Sequence, residues 1–212
     1  MKLTLLLILV NVLVFLYTSQ NLDYYIEKFG FSVKSIQEGR YYTPLTSMFL
    51  HANLLHLITN MFALLVLGGS IESKAGGKKY LLVYFLAGVI GTLSAFVPIF
   101  GYSNKALFVG ASGAISGLIG FGIFVNPGSL VSFPFIIPIP FIIASAIYLL
   151  STLPLLFSNT GIAYPAHLFG ILTGVVFGLL FGQKRIKRLL LFIIVLILTM
   201  IIPVIIKTIL EK

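Results

Sequence analysis

Ser112 lies between glycines in the run Gly110-Ala111-Ser112-Gly113-Ala114-Ile115-Ser116-Gly117, and the chain holds three histidines that could partner it: His51, His56 and His167. A serine hydroxyl attacks a carbonyl only when a nearby base takes its proton, and a partly desolvated imidazole favours the neutral form that can do so. His167 opens a second small-residue run in which Gly170, Gly174 and Gly178 are spaced by four. Such glycines make a smooth helical face, and Gly113, Gly117 and Gly120 make a comparable strip after Ser112. Packing of the two strips would bring hydroxyl and imidazole together, with Gly110 and Gly113 permitting close approach around the serine. His56 and Asn60, four residues apart, share one helix face. They could bond between helices, or donate to the oxyanion of a tetrahedral intermediate, where one donor is worth about 3–4 kcal/mol. His51, five residues before His56, is placed to orient a loop or a water rather than to react.

Other chemistries are excluded by what is missing. With no cysteine there is no disulfide, thiol nucleophile or Cys-liganded zinc. The five carboxylates are Asp23, Glu27, Glu38, Glu72 and Glu211, none of them in the outer half of an apolar run. A Ser-His dyad is therefore the economical arrangement, rather than a triad with an acidic orienter. An aspartyl site needs two membrane aspartates and a metalloprotease a motif such as His-Glu-x-x-His; neither occurs. No metal and no cofactor is expected.

The elements that must position these residues are apolar helices. Of 212 residues, 59% are hydrophobic and 9% charged, and the mean hydropathy is +1.12. A soluble domain carries about 25% charge. The apolar runs have helical length and lack the alternation of barrel strands, which makes this an all-α multi-pass membrane protein. At about 20 residues per crossing, seven spans are expected, at roughly 3–19, 47–70, 80–100, 107–125, 134–156, 162–182 and 189–209. A polar, aromatic-rich loop over residues 19–46 would lie at the interface. The net charge of +9 comes from short cationic clusters between spans, which suits anionic lipid headgroups and not nucleic acid. Lys2, Lys74, Lys78, Lys79, Lys184, Arg185, Lys187 and Arg188 fall on one side if seven spans alternate. The positive-inside rule then puts the N-terminus in the cytoplasm and the C-terminus outside, with Ser112, His167, His56 and Asn60 toward the outer face. Ser112, as the fifth or sixth residue of its span, would lie about 7–9 Å below that face. A transporter would show inverted repeats and ionisable groups at the midplane, and the sequence has neither.

These residues resemble the rhomboid family of intramembrane serine proteases. The match is carried by His51-x4-His56-x3-Asn60, Leu67-Gly68-Gly69-x2-Glu72, Gly110-x-Ser112-Gly113 and Ala166-His167-x2-Gly170-x3-Gly174, in order, over nearly the whole chain. The resemblance implies a six-transmembrane-helix core over residues 1–182, followed by a basic cytoplasmic linker and one additional C-terminal transmembrane helix over 183–212. It implies Ser112 as nucleophile and His167 as general base, with His56, Asn60 and the Ser112 amide as oxyanion hole. It also assigns 19–46 to a partly embedded loop, span five, with Pro134, Pro138, Pro140 and Pro154 at its ends, to a lateral gate, and 157–164 to a cap. The implied function is cleavage of transmembrane protein substrates near the external face of the cell membrane. A silent client-binding relative would have no need of both Ser112 and His167. Two positions depart from the family: Tyr42-Thr43 stands where a Trp-Arg pair is usual, with Arg40 nearby, and Ser116 stands where an aromatic often stacks on the histidine, a gap that Phe108, Phe121 or Phe169 could fill.

Overall fold

A computed structural model of the protein describes residues 1–133, 137–152 and 163–210. Apolar runs of helical length become helices. α1 spans Lys2–Thr18 and passes through a 3-10 turn into α2, Leu22–Phe29. The segment expected as a loop continues as two further short helices, α3 at Val33–Gln37 and α4 at Thr43–Thr46. Local capping explains this departure. Ser32 Oγ accepts from Ser35 N at 3.0 Å while Ser35 Oγ accepts from Ser32 N at 3.1 Å, closing a capping box. Pro44 occupies the first turn of α4, where its missing N–H costs nothing.

The second apolar run starts later than its composition suggests. α5 spans Leu54–Ala63, because Asn53 Oδ1 accepts the His56 amide at 2.8 Å and sets the first turn. A π turn at Leu64–Gly68 and α6 at Gly69–Ala75 continue the same helix to Gly76, whose φ of 82° ends it. Glu72 in α6 accepts from the amides of Leu3 and Thr4 and from Thr4 Oγ1, at 3.1, 2.9 and 2.7 Å. A carboxylate at a helix N-terminus is favourably placed, and here it ties α6 to the start of α1.

α7 runs Gly77–Thr92, α8 Ser112–Val125, α9 Phe141–Thr152, α10 Tyr164–Phe181 and α11 Arg185–Leu210. Among the described residues, five helical stretches are long and apolar enough to cross a membrane, and α8 and α9 are shorter apolar helices. All seven fall on the apolar runs expected to span. Two boundaries differ markedly. Residues 107–111 are not helical: Phe108 pairs with Phe31 in an isolated bridge, and Gly110 has φ 115°. Before α9 the chain forms an antiparallel ribbon, β1 (Leu130–Phe133) with β2 (Ile137–Pro140), pairing Leu130 with Pro140 and Val131 with Ile139. Pro138 and Pro140, expected at a helix end, sit instead in this two-stranded edge, where a missing N–H is tolerated. Pro134, Pro154 and residues 157–162 of the cap expected over 157–164 lie outside the described residues, and Tyr164 opens α10.

The centre of the bundle is α7, α8 and α10, packed closely at glycines. A Cβ at Gly174 of α10 would run into the carbonyl oxygen of Gly117, and one at Gly117 would run into Ala87 of α7. Gly170 lies as closely on the Gly113 carbonyl. Backbones can meet this way only where glycine leaves room. The interval before α11 is short, and Arg185 and Arg188 belong to its first turn rather than to a linker. Arg185 donates to the carbonyls of Gly182 and Leu180, and Arg188 to that of Phe124 at the end of α8. Phe192 and Val195 of α11 join the same core as α8 and α10.

Candidate active site

Close packing of α8 on α10 sets the central contact. Ser112 is the first residue of α8 and His167 the fourth of α10. Ser112 Oγ lies 2.8 Å from His167 Nε2. His167 is 8% exposed, and its Nδ1 has no partner among the described residues. Two tyrosine rings lie beside it: Tyr164, at a centroid distance of 5.8 Å and 82°, and Tyr148 of α9, at 6.4 Å and 41°. These rings occupy the place for which Phe108, Phe121 and Phe169 were candidates. Phe108 packs with Phe31, Phe121 is in the bundle core and Phe169 meets Phe100. Ser116, with no ring of its own, bonds Tyr148 through its hydroxyl at 2.6 Å.

His56 and Asn60 stand on the face of α5 that looks toward Ser112. The Ala52 amide donates to His56 Nδ1 at 3.3 Å. Nδ1 is thereby the acceptor, so the neutral ring carries its proton on Nε2, where it can be donated. The Gly110 Cα lies so close to this edge that a Cβ there would come within 2.7 Å of His56 Nε2 and Cε1. A positive φ and this contact both require glycine at 110. Gly110 N also donates to Ser47 O at 2.9 Å, which fixes the turn into α8. Asn60 is buried and donates one amide hydrogen to His56 O at 2.8 Å. Gly113 lies against Gly88 Cα and Ala166 O, so α7 and α10 hold the first turn of α8 from two sides.

His51 precedes α5 and is fully buried, its ring edge-on to His56 at 5.0 Å. It supports the His56 ring from behind. Ser112, His167, His56, Asn60 and Gly110 all line one open cavity of about 640 Å³. Its walls include Leu55 and Thr59 of α5 and Tyr148 and Ser151 of α9, helices that face each other across it. The spacing of small residues gave no sign of Gly88, Tyr148 or Tyr164; only the missing ring at 116 hinted that an aromatic must arrive from elsewhere.

The segment over residues 19–46 is anchored in spite of Tyr42-Thr43. Arg40 donates to the carbonyls of Glu27 and Lys28, at 2.6 and 3.1 Å, and forks onto Glu38. Thr46 Oγ1 donates to Phe29 O at 2.7 Å and Tyr42 to Lys28 O at 3.3 Å. A guanidinium and two hydroxyls thus satisfy the free carbonyls at the end of α2.

Comparison with known proteins gives the family. The family model for the Rhomboid domain matches residues 38–184. The chain belongs to the rhomboid family. Among relatives of this rhomboid, RHOMBOID-like protein 12, mitochondrial, of Arabidopsis thaliana is 29% identical over 167 residues, covering 71% of this chain and 49% of that protein. The rhomboid protease GluP of Bacillus subtilis is 38% identical over 85 residues, 40% of this chain and 16% of that protein. Rhomboid-like protease 3 of Toxoplasma gondii is 40% identical over 75 residues, 35% and 27% of the two chains. The matched regions span less than half the length of these relatives. Membership in the family and the apolar helices make this a multi-pass integral membrane protein.

Proposed function

We propose that this rhomboid is an intramembrane serine endopeptidase acting on transmembrane protein substrates through a Ser112–His167 dyad. Ser112 Oγ attacks the scissile carbonyl carbon while His167 Nε2 takes its proton, then returns it to the leaving amine as the C–N bond breaks. Water attacks the resulting ester, His167 again accepts a proton, and the acid is released as Ser112 recovers its hydrogen. His56 Nε2–H, the second Asn60 amide hydrogen and the Ser112 backbone N–H are the donors for the oxyanion. The observation that carries this reading is the 2.8 Å contact between Ser112 Oγ and His167 Nε2 inside a cavity that also receives His56 and Asn60.

The membrane setting follows from lengths. α8, with 14 residues, is about 21 Å long, roughly 9 Å short of the hydrocarbon core. Ser112 at its N-terminus is then below the outer surface, reached by water through the cavity. The cationic ends of the helices favour a cytoplasmic N-terminus and an external C-terminus, in the cell membrane. Substrates enter between α5 and α9, with α9 as the lateral gate. A substrate helix must unwind before its hydrogen-bonded carbonyl can be attacked, so spans with Gly or Pro near the outer face are preferred over poly-Leu.

Labelling of the purified, detergent-solubilised protein with a fluorescent fluorophosphonate tests the dyad. Wild type is labelled, Ser112→Ala and His167→Ala are not, and labelling is lost as acidification protonates the base. A folded wild type that stays unlabelled, or label that persists in Ser112→Ala, rejects the proposal.

A further inference from the structure

The hydroxyl of Ser116 joins the candidate nucleophile to α9. Ser116 is fully buried, and its Oγ is 2.7 Å from the Ser112 carbonyl and 2.6 Å from the Tyr148 hydroxyl. A carbonyl only accepts, so the single Ser116 hydrogen goes to Ser112 O. Tyr148 must then donate to Ser116 Oγ. The order Tyr148 O–H to Ser116 O–H to Ser112 C=O leaves every group satisfied, and it runs from α9 into the first turn of α8.

Two features give this chain of bonds a bearing on reactivity. His167 has no Nδ1 partner among the described residues, so its orientation rests on Ser112 and on the rings of Tyr148 and Tyr164 beside it. α9, for its part, is rooted at its start. Phe141 is fully buried against Gly122, and the amides of Phe141 and Ile142 donate to Ser129 O and Pro127 O at 2.7 and 3.0 Å. Farther along, Ile143, Ile147 and Leu150 are exposed. Among the described residues, Tyr148–Ser116 is the side-chain hydrogen bond by which α9 holds another apolar helix. A swing of α9 about its root would break this bond and withdraw the Tyr148 ring from His167 in one movement.

We propose that Tyr148 is a positioning residue: anchored on Ser116, it steadies one face of His167, so that the reactivity of Ser112 depends on where α9 stands. This rests on the dyad proposed above.

The test is the second-order rate of fluorophosphonate labelling, with its pH profile, for wild type, Tyr148→Leu, Tyr148→Phe, Ser116→Ala and the double variant Tyr148→Phe/Ser116→Ala, each checked for cooperative unfolding in detergent. Tyr148→Leu, lacking both ring and hydroxyl, is expected to label at least 10-fold more slowly and with a displaced pH midpoint. Tyr148→Phe keeps the ring and is expected to recover most of that rate, at about one-third of wild type. Ser116→Ala removes the Tyr148–Ser116 bond together with its own bond to Ser112 O and should be as slow or slower, and the double variant should be no slower than Ser116→Ala alone, because the Tyr148–Ser116 bond is already gone there. Wild-type rate and pH midpoint in a folded Tyr148→Leu overturn the proposal while leaving the dyad standing, as does a double variant whose losses multiply. An unlabelled wild type instead removes the dyad, and the positioning role with it. Slow labelling in Tyr148→Leu with an unchanged pH profile and an equal loss in Tyr148→Phe also counts against it, since the ring would then have no part.

Discussion

Gly174→Ala puts the packing argument under direct strain. The Cβ it adds would stand 2.7 Å from Phe121 N and 2.8 Å from Gly117 C, and nearer still to the Gly117 carbonyl oxygen. These are about 1 Å inside the separation at which such atoms attract. All belong to the α8 backbone, so no side chain can rotate away, and α10 must move off α8 by about that distance. His167 is seven residues earlier on α10, about 10 Å along the axis. Carried to the site, a displacement of about 1 Å stretches the 2.8 Å contact between Ser112 Oγ and His167 Nε2 beyond hydrogen-bond reach. Overpacking of this kind costs about 1–3 kcal/mol of stability, and a misplacement of about 1 Å costs on the order of 10²-fold in rate. The assay pairs the fluorophosphonate labelling rate with the unfolding midpoint in the same detergent. Gly128→Ala is the control, since nothing lies within 4 Å of its added methyl. A folded Gly174→Ala labelled within about threefold of wild type would refute the claim that glycine contact between α8 and α10 sets the dyad.

Two further outcomes follow from the site and its loop. His56→Ala and Asn60→Ala should each lower cleavage of a transmembrane reporter by about 10²–10³-fold while leaving the Ser112–His167 contact intact; reporter turnover equal to wild type in both would exclude them as oxyanion donors. Glu38, held by Arg40 and Lys34, has its carboxyl lowered from the ordinary 4.5. A depressed value in the folded state means that its ion pairs are complete above 4.5 and are lost as the pH falls through the lower, folded value. Hydrogen exchange of the α2–α4 segment is therefore expected to quicken only below that range, and Glu38→Gln to make exchange there faster at neutral pH and flat on acidification.

The helices and the chemistry-bearing residues were legible because each depends on local sequence. A run of Leu, Ile, Val and Phe has no soluble alternative, and glycines four apart mark a helix face whatever its partner. Helix starts were less legible. Ser112 begins α8 because Gly110 takes φ 115° beneath His56, a contact between residues far apart in sequence. β2 falls within the run expected to span at 134–156, because apolar composition there does not distinguish strand from helix, and its prolines were the only sign.

What the sequence determined alone is the class of molecule, a multi-pass helical membrane protein, and the inventory of groups it can use: Ser112 in its glycine-rich run, three histidines and Asn60, without cysteine or a carboxylate in the outer half of an apolar run. Those follow from transfer free energies and from side-chain type. Tertiary structure decided which ring steadies His167, which proton His56 keeps and how the loop is tied down. Tyr148 comes from α9, the His56 tautomer from the Ala52 amide and the loop anchor from Arg40 on the end of α2. Each depends on the relative rotation and height of packed helices and loops, which spacing along one segment does not specify, because a helix presents every side chain to some direction and only its neighbours select among them.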